Sequence, residues 1–142
     1  MILLRWEEGC APVYQSSFSA AADLHARAEL TIPAGSRARV PVGVWIAKVL
    51  WDEVPEGMIP ELQVRARSGL AYKHGITLTN GVGTIDADYP DEIGVLLSNT
   101  GDKDFIIKKG DRIAQLLMNL CHRIPELPVG GERSGGFGST GK

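Results

Sequence analysis

The feature that most restricts this chain is the close spacing of its turn-forming residues. Pro or Gly stands at positions 33, 35, 41, 43, 55, 57, 60, 101 and 110, and the stretches between such breakers are short. Apolar and β-branched residues recur in the strand period at 2–6, 22–27, 29–32, 37–47, 58–65, 76–78, 93–99, 105–108 and 112–121. Many short strands joined by frequent turns predict an all-β sandwich or barrel. Only residues 68–74 carry a helical window, with Ser68 as N-cap and Gly75 as terminator. That is too little helix for an α/β fold. Residues 48–57, with Trp51 beside Asp52 and Glu53, read as a long hairpin tip or excursion.

Composition narrows the function classes. A chain of 142 residues is expected to form one β domain, and its formal net charge is −2 with the 15 basic residues scattered. No electrostatic footprint for nucleic acid follows from that pattern. Cys10 and Cys121 lack Cys-x-x-Cys spacing, and His25, His74 and His122 are isolated, so neither a disulfide framework nor a metal quartet is expected. Residues 1–6 lack the length and charged leader of a signal peptide, and no run reaches membrane-spanning length. A cytoplasmic protein is the expectation, or a nuclear one if the source is eukaryotic.

Two stretches stand out as candidate functional segments. Residues 77–95 read as a β-hairpin, in which Ile76 and Leu78 face Ile93, Val95 and Leu97 across a loop that opens with Asn80-Gly81 and Gly83. In that loop Asp86 and Asp88 stand two apart and point the same way if the segment is extended, which suits water activation or a metal. The same composition also suits a solvent-facing hairpin loop. Residues 130–142 form a Gly-rich arm distinct from the domain at 1–129, and their composition predicts flexibility. Gly136 to Lys142 matches parts of two nucleotide-binding motifs, but both motifs place phosphate at the start of a following helix and this sequence stops at Lys142.

Taken in order, Ala20 to Leu24, Arg65 to Ala71, the 77–95 stretch, Gly110 to Gln115 and Arg133 to Gly141 resemble the trimeric dUTP nucleotidohydrolase (dUTPase) family. Arg-Ser-Gly-Leu-Ala, Ile-Asp-x-Asp-Tyr, Arg-Ile-Ala-Gln and Gly-Gly-Phe-Gly-Ser-Thr-Gly in that order are specific. The resemblance implies a jelly-roll-like β-clip subunit with one short helix and a flexible C-terminal arm. It also implies a homotrimer with sites shared between chains, and hydrolysis of dUTP to dUMP and diphosphate. That activity would limit uracil incorporation into DNA and supply dUMP for dTMP synthesis.

The same resemblance assigns roles. Asp86 would activate the water that attacks the α-phosphorus, with Asp88, Asp23 and Arg112 supporting. Asn80 would read uracil with help around Gly83, Thr84 and Gly94, and Tyr89 would pack under the deoxyribose. Arg67, Ser68, Gly69 and Gln115 would hold the phosphates. From the arm, Arg133 would clamp the γ-phosphate, Phe137 would stack on the base, and Gly138 and Ser139 would close over it. Mg2+ would be held by substrate phosphates and water, with no direct protein ligand. The chain departs from the family pattern at Ala66, where Pro is usual, and at Pro90-Asp91, where Arg-Gly is usual. Its last segment is also one residue shorter after Arg133. A dCTP deaminase would need a catalytic Glu and a different Arg/Ser-rich segment, and a nucleotide sensor would have no need of Asp86.

Overall fold

The computed structural model describes residues 1–133 and 135–138. Eleven strands and one α-helix follow in the order β1 (Ile2–Trp6), β2 (Ala22–His25), β3 (Leu30–Ile32), β4 (Arg37–Pro41), β5 (Val44–Val49), β6 (Met58–Arg65), α1 (Ser68–His74), β7 (Ile76–Leu78), β8 (Gly83–Asp86), β9 (Gly94–Asn99), β10 (Phe105–Ile107) and β11 (Arg112–His122). The strands assemble as β2-β11-β6-β8, β4-β9-β7 and the pairs β1-β5 and β3-β10. Every named pair is antiparallel. The result is a jelly-roll-like β fold, all-β as the strand period predicts and jelly-roll-like as the resemblance implies.

Alternation explains which side chains fill the core. Along β9, Val95, Leu97 and Asn99 are buried while Gly94, Leu96 and Ser98 are only half-buried. On β6 the buried set is Pro60, Leu62 and Val64, and on β7 it is Ile76 and Leu78. Of these, Leu62, Val64, Ile76, Leu78, Val95 and Leu97 meet Leu24, Ile32, Val40, Ile107 and Ile113 in one cluster. Full burial of an aliphatic side chain of this size contributes about 1.5–3 kcal/mol. Asn99 is buried as well, although polar. Its Nδ2 donates to the carbonyls of Ile32 and Lys103 at 2.9 and 2.8 Å, and its Oδ1 accepts from Gly101 N at 3.0 Å.

Three local expectations are corrected. Residues 37–47 are two strands, because Gly43 takes φ of 64° and a Cβ there would lie 2.7 Å from Cys10 Sγ. Ser68 is the first helical residue rather than the cap; the cap position is Arg67, in extended conformation and without a side-chain capping bond. Gly75 ends the helix in the left-handed conformation as expected. The 77–95 stretch is more than a hairpin loop, since β7 and β9 pair as its arms while β8 leaves them and pairs with β6. Within residues 48–57, Trp51–Glu53 form a 3-10 turn.

Candidate active site

The transfer of β8 to the second sheet creates the site. Gly83 sits opposite Val64, and a Cβ there would fall 3.1 Å from Val64 Cβ, so a glycine lets the two backbones close. β8 ends at Asp86, and Tyr89 N then donates to Asp86 O at 3.0 Å. This turn exposes both carboxylates, Asp86 and Asp88, with side chains 60% and 68% accessible. It also drives Tyr89 inward, where the residue is buried and its hydroxyl donates to Glu92 O at 3.1 Å. Glu92 in turn anchors the approach to β9, its Oε1 accepting from Gly43 N at 2.7 Å and its Oε2 pairing with Arg27 at 3.3 Å.

A cavity of about 290 Å³ opens between these elements. Asn80, Gly83, Thr84 and Gly94 line it together with Tyr89 and the apolar side chains of Val64, Ile93 and Leu96. An apolar chamber with a few converging polar groups is the usual form of a small-molecule pocket. The described part of the C-terminal arm covers its mouth, since Arg133, Gly136 and Phe137 also line it.

Arg133 is the most heavily engaged residue of the arm. Its Nη1 donates to Asp86 Oδ2 and, at 3.4 Å, to Asp88 Oδ1, and its Nε donates to Gly135 O at 2.6 Å. The guanidinium also lies 5.3 Å from the Tyr89 ring centroid. Burial pulls the Arg133 pKa down, but the hydrogen bonds and charges of Asp86 and then Asp88 outweigh it and hold the group above its ordinary value. These contacts join the arm to the Asp86 of the same chain. Arg133 and both carboxylates also border a larger groove of about 610 Å³, which Trp51, Glu61 and Cys121 share.

A second group of predicted residues lies elsewhere. Asp23 is buried on β2, its Oδ1 3.6 Å from Arg67 Nε and its Oδ2 3.3 Å from Arg112 Nη1. Arg67 Nη1 also donates to Arg112 O at 2.9 Å. Arg67 and Arg112 line a separate cleft of about 250 Å³ with Phe105 and Asp111. Ser68 and Gly69 open α1 beside it, and Gln115 lies on β11 between Asp23 and Arg65. None of Arg67, Ser68, Gly69 and Gln115 lines the cavity beside Asp86. Gly138 follows Phe137 in the arm with φ of 94°, while Ser139 lies outside the described residues. Sequence reasoning missed Arg39, Glu92 and Gly136; for the first two the only signal was a charged residue, one within β4 and one in the loop before β9, too common to single out.

Comparison with known proteins bears on this geometry. The chain matches the sequence profile of the dUTPase family over residues 7–141. It is 49% identical over 140 residues to the deoxyuridine 5'-triphosphate nucleotidohydrolase of Rickettsia prowazekii (strain Madrid E), across 94% of this chain and 89% of that one. It is 44% identical over 137 residues to the enzyme of the same name from Syntrophotalea carbinolica (strain DSM 2380 / NBRC 103641 / GraBd1), across 92% and 88%. Its structure is similar to that of the dUTPase from Streptococcus mutans, with a TM-score of 0.70 and 25% identity over 90% of this chain and 98% of that one. With the family profile spanning residues 7–141 and relatives 44% and 49% identical across 92% and 94% of its length, the chain belongs to the dUTPase family.

Proposed function

We propose that this chain hydrolyses dUTP to dUMP and diphosphate, with Asp86 as the general base. The observation that carries the reading is the exposed Asp86 and Asp88 pair, which lines the larger groove and is engaged by Arg133 of the arm, a residue that also lines the cavity of Asn80 and Tyr89. Water held by Asp86 attacks the α-phosphorus, the bond from that phosphorus to the bridging oxygen breaks, diphosphate leaves, and the water proton passes to the carboxylate. Arg133 pairs with Asp86. A triphosphate is a stronger partner for that guanidinium, so substrate draws Arg133 away and frees the base.

Selectivity follows from the cavity walls. The Asn80 amide, at the cavity edge, offers one donor and one acceptor to the uracil edge, and cytosine would leave those groups mispaired. Tyr89, held by Glu92 O, presents a fixed ring to the sugar and leaves little room for a 2′-hydroxyl. Magnesium enters with the triphosphate as part of the substrate. Phosphate oxygens and water would supply its ligands, since Mg2+ keeps several waters and is usually held through substrate phosphates.

The separation of the Arg67 cleft from the cavity beside Asp86 supports a homotrimer with shared sites. In such an assembly a neighbouring chain brings Arg67, Ser68, Gly69 and Gln115 to the phosphates. Diphosphate release from dUTP, UTP, dCTP and dTTP tests the activity; dUTP alone should turn over well, and equal turnover of all four would reject the assigned pocket. Co-refolded Asp86→Asn and Arg67→Ala subunits should regain activity together if sites are shared, and should stay inactive if each chain is self-sufficient.

A further inference from the structure

Arg39 projects from β4 with a set of contacts that the proposed chemistry does not explain. Its Nη2 donates to Glu92 O at 3.0 Å, the same carbonyl that accepts the Tyr89 hydroxyl. Its Cζ lies 4.8 Å from the centroid of the Phe137 ring. The guanidinium reaches this place across Gly94, where a Cβ would fall 2.3 Å from Arg39 Nε and 2.6 Å from its Cζ. Any side chain at position 94 would push the arginine off its route.

Phe137 itself has φ of 51°, in the left-handed region that side-chain-bearing residues rarely adopt. A residue in such a conformation keeps it only when its surroundings hold it there. Phe137 and Gly94 line the cavity and Arg39 does not, so the arginine supports the ring from outside the space a base would occupy. The backbone of Glu92 thus links three parts: the tyrosine inside the cavity, the arginine outside it and, through that arginine, the aromatic of the arm.

We propose that Arg39 is a positioning residue for the arm, a latch that seats Phe137 over the cavity through a cation–π contact. The proposal rests on the dUTPase reading for its consequence but not for its geometry. A guanidinium over an aromatic face at a surface site changes an equilibrium by about 2- to 5-fold. Loss of the latch acts on closure and leaves Asp86 untouched, so it enters mainly through KM.

The test is a cycle of Arg39→Leu and Phe137→Ala, with Arg39→Lys as the conservative variant. Arg39→Leu should raise KM for dUTP by about 2- to 5-fold with a smaller change in kcat. Arg39→Lys, which keeps a cation at the ring, should recover most of the loss. In the Phe137→Ala background Arg39→Leu should have no further effect, because the ring it holds is gone. Arg39 is exposed, so the melting temperature should not move. A full Arg39→Leu effect on top of Phe137→Ala, or an unchanged KM in an active enzyme, overturns the latch. Tryptic cleavage after Arg133 in the nucleotide-free protein separates this from a failure of the assigned activity. Cleavage should be several-fold faster in Arg39→Leu than in the parent even if dUTP proves not to be the substrate, and equal rates refute the latch.

Discussion

Gly136→Ala isolates the seating of the arm from every other property of the protein. A Cβ built on Gly136 falls 2.4 Å from Tyr89 Cε2 and 3.3 Å from both Cδ2 and Cζ. Carbon atoms in comfortable contact stand about 3.5–4.0 Å apart, so the new methyl and the ring cannot both stay. The ring is the less able to yield, being buried with its hydroxyl bound to Glu92 O at 3.1 Å. Residue 136 has no positive φ, so alanine adds no backbone strain and the whole cost is steric. Overpacking of this kind costs about 1–3 kcal/mol. At 1.4 kcal/mol per factor of ten, closure weakens by about 5- to 150-fold. The penalty falls on the arm and not on the β core, so kcat/KM for dUTP should drop by that factor while the thermal melt stays where it was. Gly131→Ala is the matched control, because a Cβ at that position meets nothing within 4 Å. Diphosphate release by Gly136→Ala within twofold of the parent, with the same melting temperature, would refute the placement of the arm over Tyr89.

Other expectations concern the base, the core and a thiol. Asp86→Asn keeps the shape of the carboxylate but not its basicity, so turnover should fall by about 10²–10⁴-fold while binding of a non-hydrolysable dUTP analogue persists; near-normal diphosphate release would remove Asp86 from the chemistry. Asn99→Ala leaves the Ile32 and Lys103 carbonyls and the Gly101 N–H without their side-chain partner. The predicted loss is about 2–4 kcal/mol in urea unfolding, and a loss under 1 kcal/mol would mean that water replaces the amide. The hydrogen bond from Cys121 Sγ to Glu61 Oε1, 3.1 Å long, raises the thiol pKa above its ordinary value, with burial and the Glu61 charge adding to it. Iodoacetamide should therefore label Cys121 slowly at pH 8, and Glu61→Gln should speed the reaction; an unchanged rate would show that the carboxylate does not hold the thiol protonated. The same bond lowers the pKa of Glu61 from 4.5. Its stabilising contribution is therefore present above about pH 4.5 and lost as pH falls below it.

Local pattern determined much of this protein. Strand alternation in β6, β7 and β9 and the stop at Gly75 follow from neighbouring residues alone, because each side chain's face depends only on its place in the strand or helix period. The resemblance to dUTPases was carried by short ordered segments; those segments include Asn80 and Tyr89, which the fold brings to one cavity, and Asp86, which lines the adjoining groove and pairs with Arg133 between the two. What local pattern could not decide is which strand pairs with which. A strand's period names its buried face but not its neighbour, so β8 read as loop between the arms of a hairpin although its hydrogen bonds go to β6. The pairing of Asp23 with Arg67 and Arg112 joins positions far apart in the chain, as does the contact of Arg133 with Asp86. So does the stacking of Arg39 on Phe137. Such contacts depend on the packing of separate sheets and on the absence of a side chain at Gly94 and Gly136. Only the folded chain brings those glycines against Arg39 and Tyr89, which is why tertiary structure alone decided how the arm meets the site.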